Sequence, residues 1–213
     1  MHALVFGSSG ALGSVITGRL QRDGFSVSAL SHREALDQCP GLPTLDAVVW
    51  AQGLNASDSL LAFDEAEFGA VMEANVAFIA RTTAELLRLG KLAKPARLVL
   101  VSSIWQEMAR TQKFSYTVSK AAVAGLVRSA AADLGACGVL VNAVLPGVVD
   151  TPMARANLSA EQIASITSAS PLGRLPTALD IASAVAFLVG TENQAITGQC
   201  LTVDAGFSTV RQL

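Results

Sequence analysis

Charge and aromatic rings are scarce in this chain of 213 residues: 15% of residues are charged and 5% aromatic. The 15 Lys and Arg against 17 Asp and Glu leave a formal charge of -2. The basic residues form no run or stripe, which argues against a nucleic-acid partner. The three cysteines, Cys39, Cys137 and Cys200, are odd in number and scattered. That pattern reads as reduced thiols in a cytoplasmic protein, and no metal-ligand spacing accompanies it, so no metal site is expected. The longest charge-free apolar stretch lies between Asp133 and Asp150, and Asn142, Pro146 and three glycines interrupt it. It reads as a buried strand with a loop and not as a membrane span. Met1-His2-Ala3 leads straight into a short apolar run and then glycines, so no signal peptide is expected. No linker, internal repeat or low-complexity segment is found. What remains is apolar, 51% of residues, in a length that suits one domain with a substantial core.

Ala3-Leu4-Val5-Phe6 is a short apolar run that ends in Gly7-Ser8-Ser9-Gly10-Ala11-Leu12-Gly13. Leu12, Ile16 and Leu20 follow at helical spacing, and Gly24 closes the segment. A strand, a glycine turn and a helix bring backbone N–H groups to a helix N-terminus, where phosphate binds. A dinucleotide site is one reading of the turn, and a plain tight turn is the other. The segment 25–30 reads as a second strand. It runs into Ser31-His32-Arg33, with no carboxylate until Glu34. A carboxylate there would hold the ribose of NAD, whereas Arg33 can receive the 2′-phosphate of NADP, with Ser31 leaving space. A surface arginine is the alternative. The stretch 34–45, broken by Pro40 and Pro43, is too short for a further strand-helix unit. Asp46–Ala51 reads as a buried parallel strand running into Gln52-Gly53 at the carboxyl edge of a sheet.

Asp64 and Glu67 form a capping-box pattern that predicts a helix running to about Leu89, with Gly90 stopping it. Asn75 falls on its apolar stripe, either as a structural clamp or as part of a polar site. A strand over 97–101 ends in Ser102-Ser103, where ordinary turn chemistry is the alternative to a site. Tyr116 and Lys120 then stand four residues apart, one turn apart on one helix face. A nearby lysine cation lowers a tyrosine's pKa and makes the pair a candidate general acid/base, although a solvated helix face has the same spacing. Beyond them, the stretch between Asp133 and Asp150 holds a buried strand and a loop, 159–167 is a weak helix, Thr177–Asp180 a helix start that Gly190 ends, and 200–203 a final strand.

Taken in order, these motifs resemble a short-chain dehydrogenase/reductase. The resemblance covers nearly the whole chain. Ser103 stands thirteen residues before Tyr116, as that family's serine does. Asn75 matches its asparagine, and Gly7 to Gly13 match its glycine turn. The stretch 141–153 matches its Asn-x-x-x-Pro-Gly loop and the threonine after it, and 196–206 resembles its last strand. The fold implied is α/β: a Rossmann-type doubly wound parallel sheet in three layers with about six to seven strands. One NAD(P)-binding domain would span 1–213, with a small lid near 152–175. The chain departs from the family at Trp50-Ala51-Gln52-Gly53, where only the glycine matches. It departs again between Glu34 and Asp46, where the third strand and its flanking helices are mostly absent, along with an aspartate that touches adenine.

The resemblance implies hydride transfer between a nicotinamide and a small carbonyl or alcohol. Tyr116 would act as general acid/base, Ser103 as hydrogen-bond partner of the reacting oxygen, and Lys120 as the group that tunes the tyrosine and holds the ribose. Asn75 would hold a water linking Lys120 to solvent. The implied cofactor site comprises Gly7, Ser9, Gly10, Leu12 and Gly13; Ser31, His32 and Arg33; Ala51, Gln52 and Gly53; and Pro146, Gly147, Val149 and Thr151, beside Tyr116 and Lys120. NADP(H) is expected, with NAD(H) as the alternative. Trp105, Gln106, Met153 and Leu158 are candidates for the substrate wall, with plain packing an equal reading of each. No membrane partner is expected, and a homodimer or homotetramer is. An NAD-linked alcohol dehydrogenase of the same fold and a non-catalytic dinucleotide-sensing regulator stand as alternatives.

Overall fold

The computed structural model describes residues 1–30, 35–151, 154–155 and 158–210. Ser31, His32, Arg33 and Met153, named above, lie outside them. The chain begins with β1 (His2–Phe6), α1 (Ala11–Arg22) and β2 (Ser26–Leu30), and a single turn α2 (Ala35–Gln38) follows. Next come β3 (Leu45–Trp50), α3 (Glu65–Met72), α4 (Phe78–Arg88) and β4 (Leu92–Val101). The long α5 (Phe114–Leu134), β5 (Val139–Pro146), α6 (Ala160–Ala169), α7 (Ala178–Val189) and β6 (Cys200–Val203) complete the order. The described strands form one parallel sheet of six, ordered β2-β1-β3-β4-β5-β6. This is the doubly wound order with its outermost strand left out, so the connection after β2 returns directly to β3. The direction of winding reverses between β1 and β3, and the crevice outside their carboxyl ends is where ligands of such sheets bind.

Strand side chains alternate between two buried faces, as the period of two requires. Leu4, Phe6, Val48, Trp50, Leu98 and Leu100 enter one core with Val123 and Val127 of α5 and with α4. Ala3, Val5, Val49 and Val99 enter the other, with Ile16 and Leu20 of α1 and Ile181 and Val185 of α7. A sheet covered on both faces explains why these strands read as continuous apolar runs. The Trp50 indole N–H donates to Thr82 Oγ1 at 2.9 Å, which satisfies the ring's polar atom within the α4 face.

Two elements differ from the sequence expectation. The helix foreseen from Asp64 to Leu89 is not continuous. Asp64 caps it as expected, its carboxylate accepting from Glu67 N–H at 2.9 Å, but the helix widens into a π turn at Glu73–Ala77. The widening sits at one side chain: Asn75 is 1% exposed and its amide meets partners outside the helix. β4 also starts five residues early, at Leu92. Its pairing with β3 slips between Leu45 and Ala47, opposite the stretch holding Pro95, which has no N–H to give the ladder. The helix starts at Ser159 and Thr177 are as read: both make the reciprocal capping box.

Candidate active site

The nucleotide side is built at the winding reversal. Gly7 follows β1 with φ +75°, a left-handed conformation that side chains resist. A β-carbon there would lie 2.7 Å from Gln52 N, so the turn after β1 rests on the loop after β3. A β-carbon on Gly13 would lie 2.1 Å from Gly7 O, so α1 can meet the turn only through glycine. Gly10 caps α1 without a side chain, and the first turn carries no acidic residue. Its N–H groups therefore remain open to an anion, with the positive end of the helix dipole behind them. Ser9 and Gly10 are exposed at this mouth, Leu12 is half-buried and Gly13 buried. Beside them, both Oε1 and Nε2 of Gln52 are buried with no hydrogen-bond partner among the described residues. Such atoms are costly to leave unpaired. A cradle free of β-carbons, an open helix N-terminus and an unpaired buried amide together fit a dinucleotide.

The chemical side lies at the ends of β3 and β4 and on the first turns of α5. Ser103 follows β4 and is 7% exposed. Its Oγ accepts from Trp105 N–H at 3.3 Å and turns the chain away from the sheet. The same hydroxyl stands near enough to the Tyr116 hydroxyl to lower its pKa. Lys120 stands one turn further on, 4% exposed. Its Nζ lies 5.5 Å from the Tyr116 ring centroid and donates to Val101 O at 3.1 Å. Gly53 faces this group: a β-carbon on it would lie 3.3 Å from Asn75 Oδ1 and 3.6 Å from Lys120 Nζ. Ser103, Tyr116, Lys120, Asn75 and Gly53, four elements apart in sequence, therefore share one place.

The electrostatics differ from the sequence expectation in one respect. Burial pushes the Tyr116 hydroxyl above its ordinary value, and the nearby Ser103 hydroxyl opposes this only in part. Lys120 does not draw the tyrosine down, because burial lowers the lysine's own pKa to about 8. An amine that has released its proton by then carries no charge where a raised tyrosine titrates. The Asn75 side chain joins two segments of the site. Its Oδ1 accepts from Leu54 N–H at 2.8 Å, and its Nδ2 donates to Leu54 O and to Ser119 Oγ, both at 2.9 Å. Both amide hydrogens are committed, which is the clamp reading of that residue.

The remaining candidates are spread around this centre. Trp105 and Gln106 occupy the turn after Ser103, both half-buried, and Gln106 Oε1 accepts from Ser102 Oγ at 2.9 Å. Pro146 ends β5. Gly147 N–H donates to Val203 O at 3.0 Å, which ties the loop to the last strand. Val149 is buried in the α7-side core. Thr151 Oγ1 accepts from Ala154 N–H at 3.2 Å. Leu158 is half-buried with its N–H on Ala154 O at 3.0 Å, and no described contact joins it to Tyr116. Sequence reading did not single out Ser119, Ser115, Lys113 or Asp58, which surround Tyr116. Their partners lie up to 58 residues away, and no local pattern announces such pairs.

A doubly wound sheet with a glycine cradle at its reversal and a serine, tyrosine and lysine at one strand edge defines a narrow class of enzymes. A profile of the family described as enoyl-(acyl carrier protein) reductase matches residues 32–208. The chain belongs to the short-chain dehydrogenase/reductase family, and it is an oxidoreductase of that family. Within the family it is similar to the 3-oxoacyl-[acyl-carrier-protein] reductase of Salmonella typhimurium, 32% identical over 166 residues, 78% of this chain and 68% of the relative. It is also similar to the cis-4-hydroxycyclohexanecarboxylate dehydrogenase of Sinomonas cyclohexanicum, 35% identical over 186 residues, 87% of this chain and 73% of the relative. Among solved structures, the ligand-free aldohexose dehydrogenase of Thermoplasma acidophilum superposes with a TM-score of 0.90 at 22% identity, over 100% of this chain and 95% of that one. No described helix is long and apolar enough to cross a membrane.

Proposed function

We propose that the protein interconverts a carbonyl and an alcohol on a small organic substrate, with NADP(H) as its cofactor. The observation that carries the reading is the gathering of Ser103, Tyr116 and Lys120 at the sheet edge beside the glycine cradle, with Ser103 acting on the Tyr116 hydroxyl and Lys120 one turn on. When bound, the nicotinamide supplies or accepts the hydride. The chain's own residues do the rest. Tyr116, neutral at physiological pH, holds a proton on its hydroxyl and gives it to the substrate oxygen in the reductive direction. Ser103 donates to the same oxygen and stabilises the charge that develops on it. Lys120 sits where it can pass a proton onward and hold a ribose hydroxyl. Gly7, Ser9, Gly10, Leu12 and Gly13 would hold the pyrophosphate, Gln52 and Gly53 the ribose side, and the loop through Gly147, Val149 and Thr151 the carboxamide end. Trp105, Gln106, Met153 and Leu158 would wall the substrate.

The NADP preference rests on Ser31-His32-Arg33, with no carboxylate before Glu34. The two relatives' names, an oxoacyl reductase and a hydroxy-acid dehydrogenase, support the carbonyl–alcohol reaction. Residues 1–213 would act as one unit, paired with further copies into a dimer or tetramer. Small ketones and aldehydes screened with NADPH, following the cofactor's absorbance, should give turnover that Tyr116→Phe reduces by about 1,000-fold, within the usual range for a lost general acid. NADPH affinity in that variant should stay within about threefold, and normal turnover in it would refute the role. Arg33→Ala should weaken NADPH about 10- to 100-fold and leave NADH unchanged, the size of one charged hydrogen bond. Equal effects on both would reassign the cofactor to NAD.

A further inference from the structure

The helix that carries Tyr116 has no cap of its own. Lys113, at its N-cap position, makes no side-chain cap bond, and the first turn holds no acidic residue. A helix of 21 residues leaves its first N–H groups and the positive end of its dipole unsatisfied unless something else meets them. The loop after β3 meets them. Asp58, 9% exposed, accepts from Ser115 N–H through Oδ1 at 3.1 Å and through Oδ2 at 3.3 Å. Its Oδ2 also accepts from Ser115 Oγ. Its backbone O accepts from Phe114 N–H at 3.3 Å. Ser115 is fully buried, so each of these bonds is sheltered from water.

The same loop is fixed to the helix at two further points. Lys113 Nζ donates to Asn55 Oδ1 at 3.0 Å, Ala56 O at 2.8 Å and Ser57 Oγ at 3.0 Å. Asn75 joins Leu54 to Ser119, and Ser119 Oγ donates in turn to Tyr116 O at 2.8 Å. Tyr116 is the residue next to Ser115, in the first turn, where a helix otherwise frays. We propose that Asp58 is a positioning residue for Tyr116: it caps the catalytic helix from another segment and fixes where the phenol stands relative to Ser103. The inference rests on the reductase reading for its effect on turnover, while the cap itself is independent of that reading.

The test combines kinetics with amide exchange. Asp58→Ala removes the cap. It should lower kcat about 100-fold, the cost of displacing a reacting group by about 1 Å, with NADPH affinity within threefold of the parent. Asp58→Asn keeps an acceptor for Ser115 N–H and should recover turnover to within tenfold of the parent. Turnover of Asp58→Ala within threefold of the parent, or no recovery with Asn, would overturn the proposal. If Asp58→Ala does not fold, Ser115→Ala decides: a three- to tenfold fall in kcat supports the cap, and unchanged kcat overturns it. If neither the parent nor Tyr116→Phe turns over any carbonyl, the reductase reading fails. Hydrogen exchange then judges the cap by itself. The Ser115 amide should exchange at least tenfold faster in Asp58→Ala and within threefold of the parent in Asp58→Asn, while the β3 amides stay unchanged; exchange at Ser115 in Asp58→Ala equal to the parent would sink the idea.

Discussion

The two sides of the site are built on opposite terms. Around Tyr116 most of the buried polar groups are paired: Asn75 with Leu54 and Ser119, Asp58 with Ser115, and Lys120 with Val101, while the Thr117 hydroxyl alone of these neighbours has no partner among the described residues. Around the glycine cradle they are not: α1 begins on a bare Gly10 and the Gln52 amide is without a partner. Satisfied networks rigidify, whereas an unpaired buried amide holds free energy that a ligand can release. The chemical side is thus preformed in the protein alone, and the nucleotide side is completed by what binds there. The same contrast explains why binding and chemistry should separate in variants.

Three measurements bear on that contrast, the largest effect first. Gly13→Ala would place its β-carbon 2.1 Å from the Gly7 carbonyl. The clash is with backbone and has no flexible side chain to absorb it, so NADPH affinity should fall by about 100-fold or more and stability by about 1–3 kcal/mol. The Ser103–Tyr116 pair should survive, and affinity within threefold of the parent would remove the distinction between the two sides. Gln52→Leu is expected to act with opposite signs in the free and bound states. It should leave the free protein unchanged or stabilise it by about 1 kcal/mol while weakening NADPH about tenfold, since an apolar side chain no longer carries an unpaired amide. A free protein less stable by 2 kcal/mol, with binding intact, would mean that the amide has a protein partner after all.

The smallest effect is in the titration. Tyr116 is the chain's one tyrosine, so the phenolate absorbance belongs to it alone. Its midpoint in the free protein should lie above 10, as burial directs. Saturating NADP+, whose oxidised nicotinamide is a cation, should move it down, because a nearby positive charge favours the phenolate. Stability carries the companion sign. Between about 8 and the ordinary lysine value of 10.5, the unfolded chain holds a proton at this residue that the native protein has released. Stability contributed by this residue therefore rises with pH through that window. Thermal melts across it should show the rise in the parent and lose it in Lys120→Met; a rise that persists in that variant would assign it to another group.

What was legible in the sequence was local. The Ser103, Tyr116 and Lys120 spacing, the glycine turn, the helix near Ser159, the cap at Thr177 and the last strand all lie within short stretches, where residue type and period speak directly. The family resemblance also carried the sheet, whose buried strands show as apolar runs. What was not legible depends on partners far away in sequence. The π turn at Glu73–Ala77 sits where Asn75 meets Leu54 and Ser119. The cap on α5 comes from a residue 57 positions upstream. The unpaired state of Gln52 depends on what the fold places around it. The expected pull of Lys120 on the Tyr116 pKa differs for the same reason, since a spacing of four residues says nothing about how deeply the pair is buried.

The widened turn also sets the phase of the chain that follows it. A π turn holds one residue more than an α turn, and each residue advances a helix by about 100°. In a uniform helix Val71, Asn75, Phe78, Ile79, Thr82 and Leu86, three and four residues apart, would share one stripe; the extra residue of the π turn offsets the part before it from the part after it. Removing a single residue between 73 and 77 would make the helix more regular and the protein worse. With the turn closed to an α turn, α3 and α4 keep their phase, and the Asn75 amide swings away from Leu54 and Ser119.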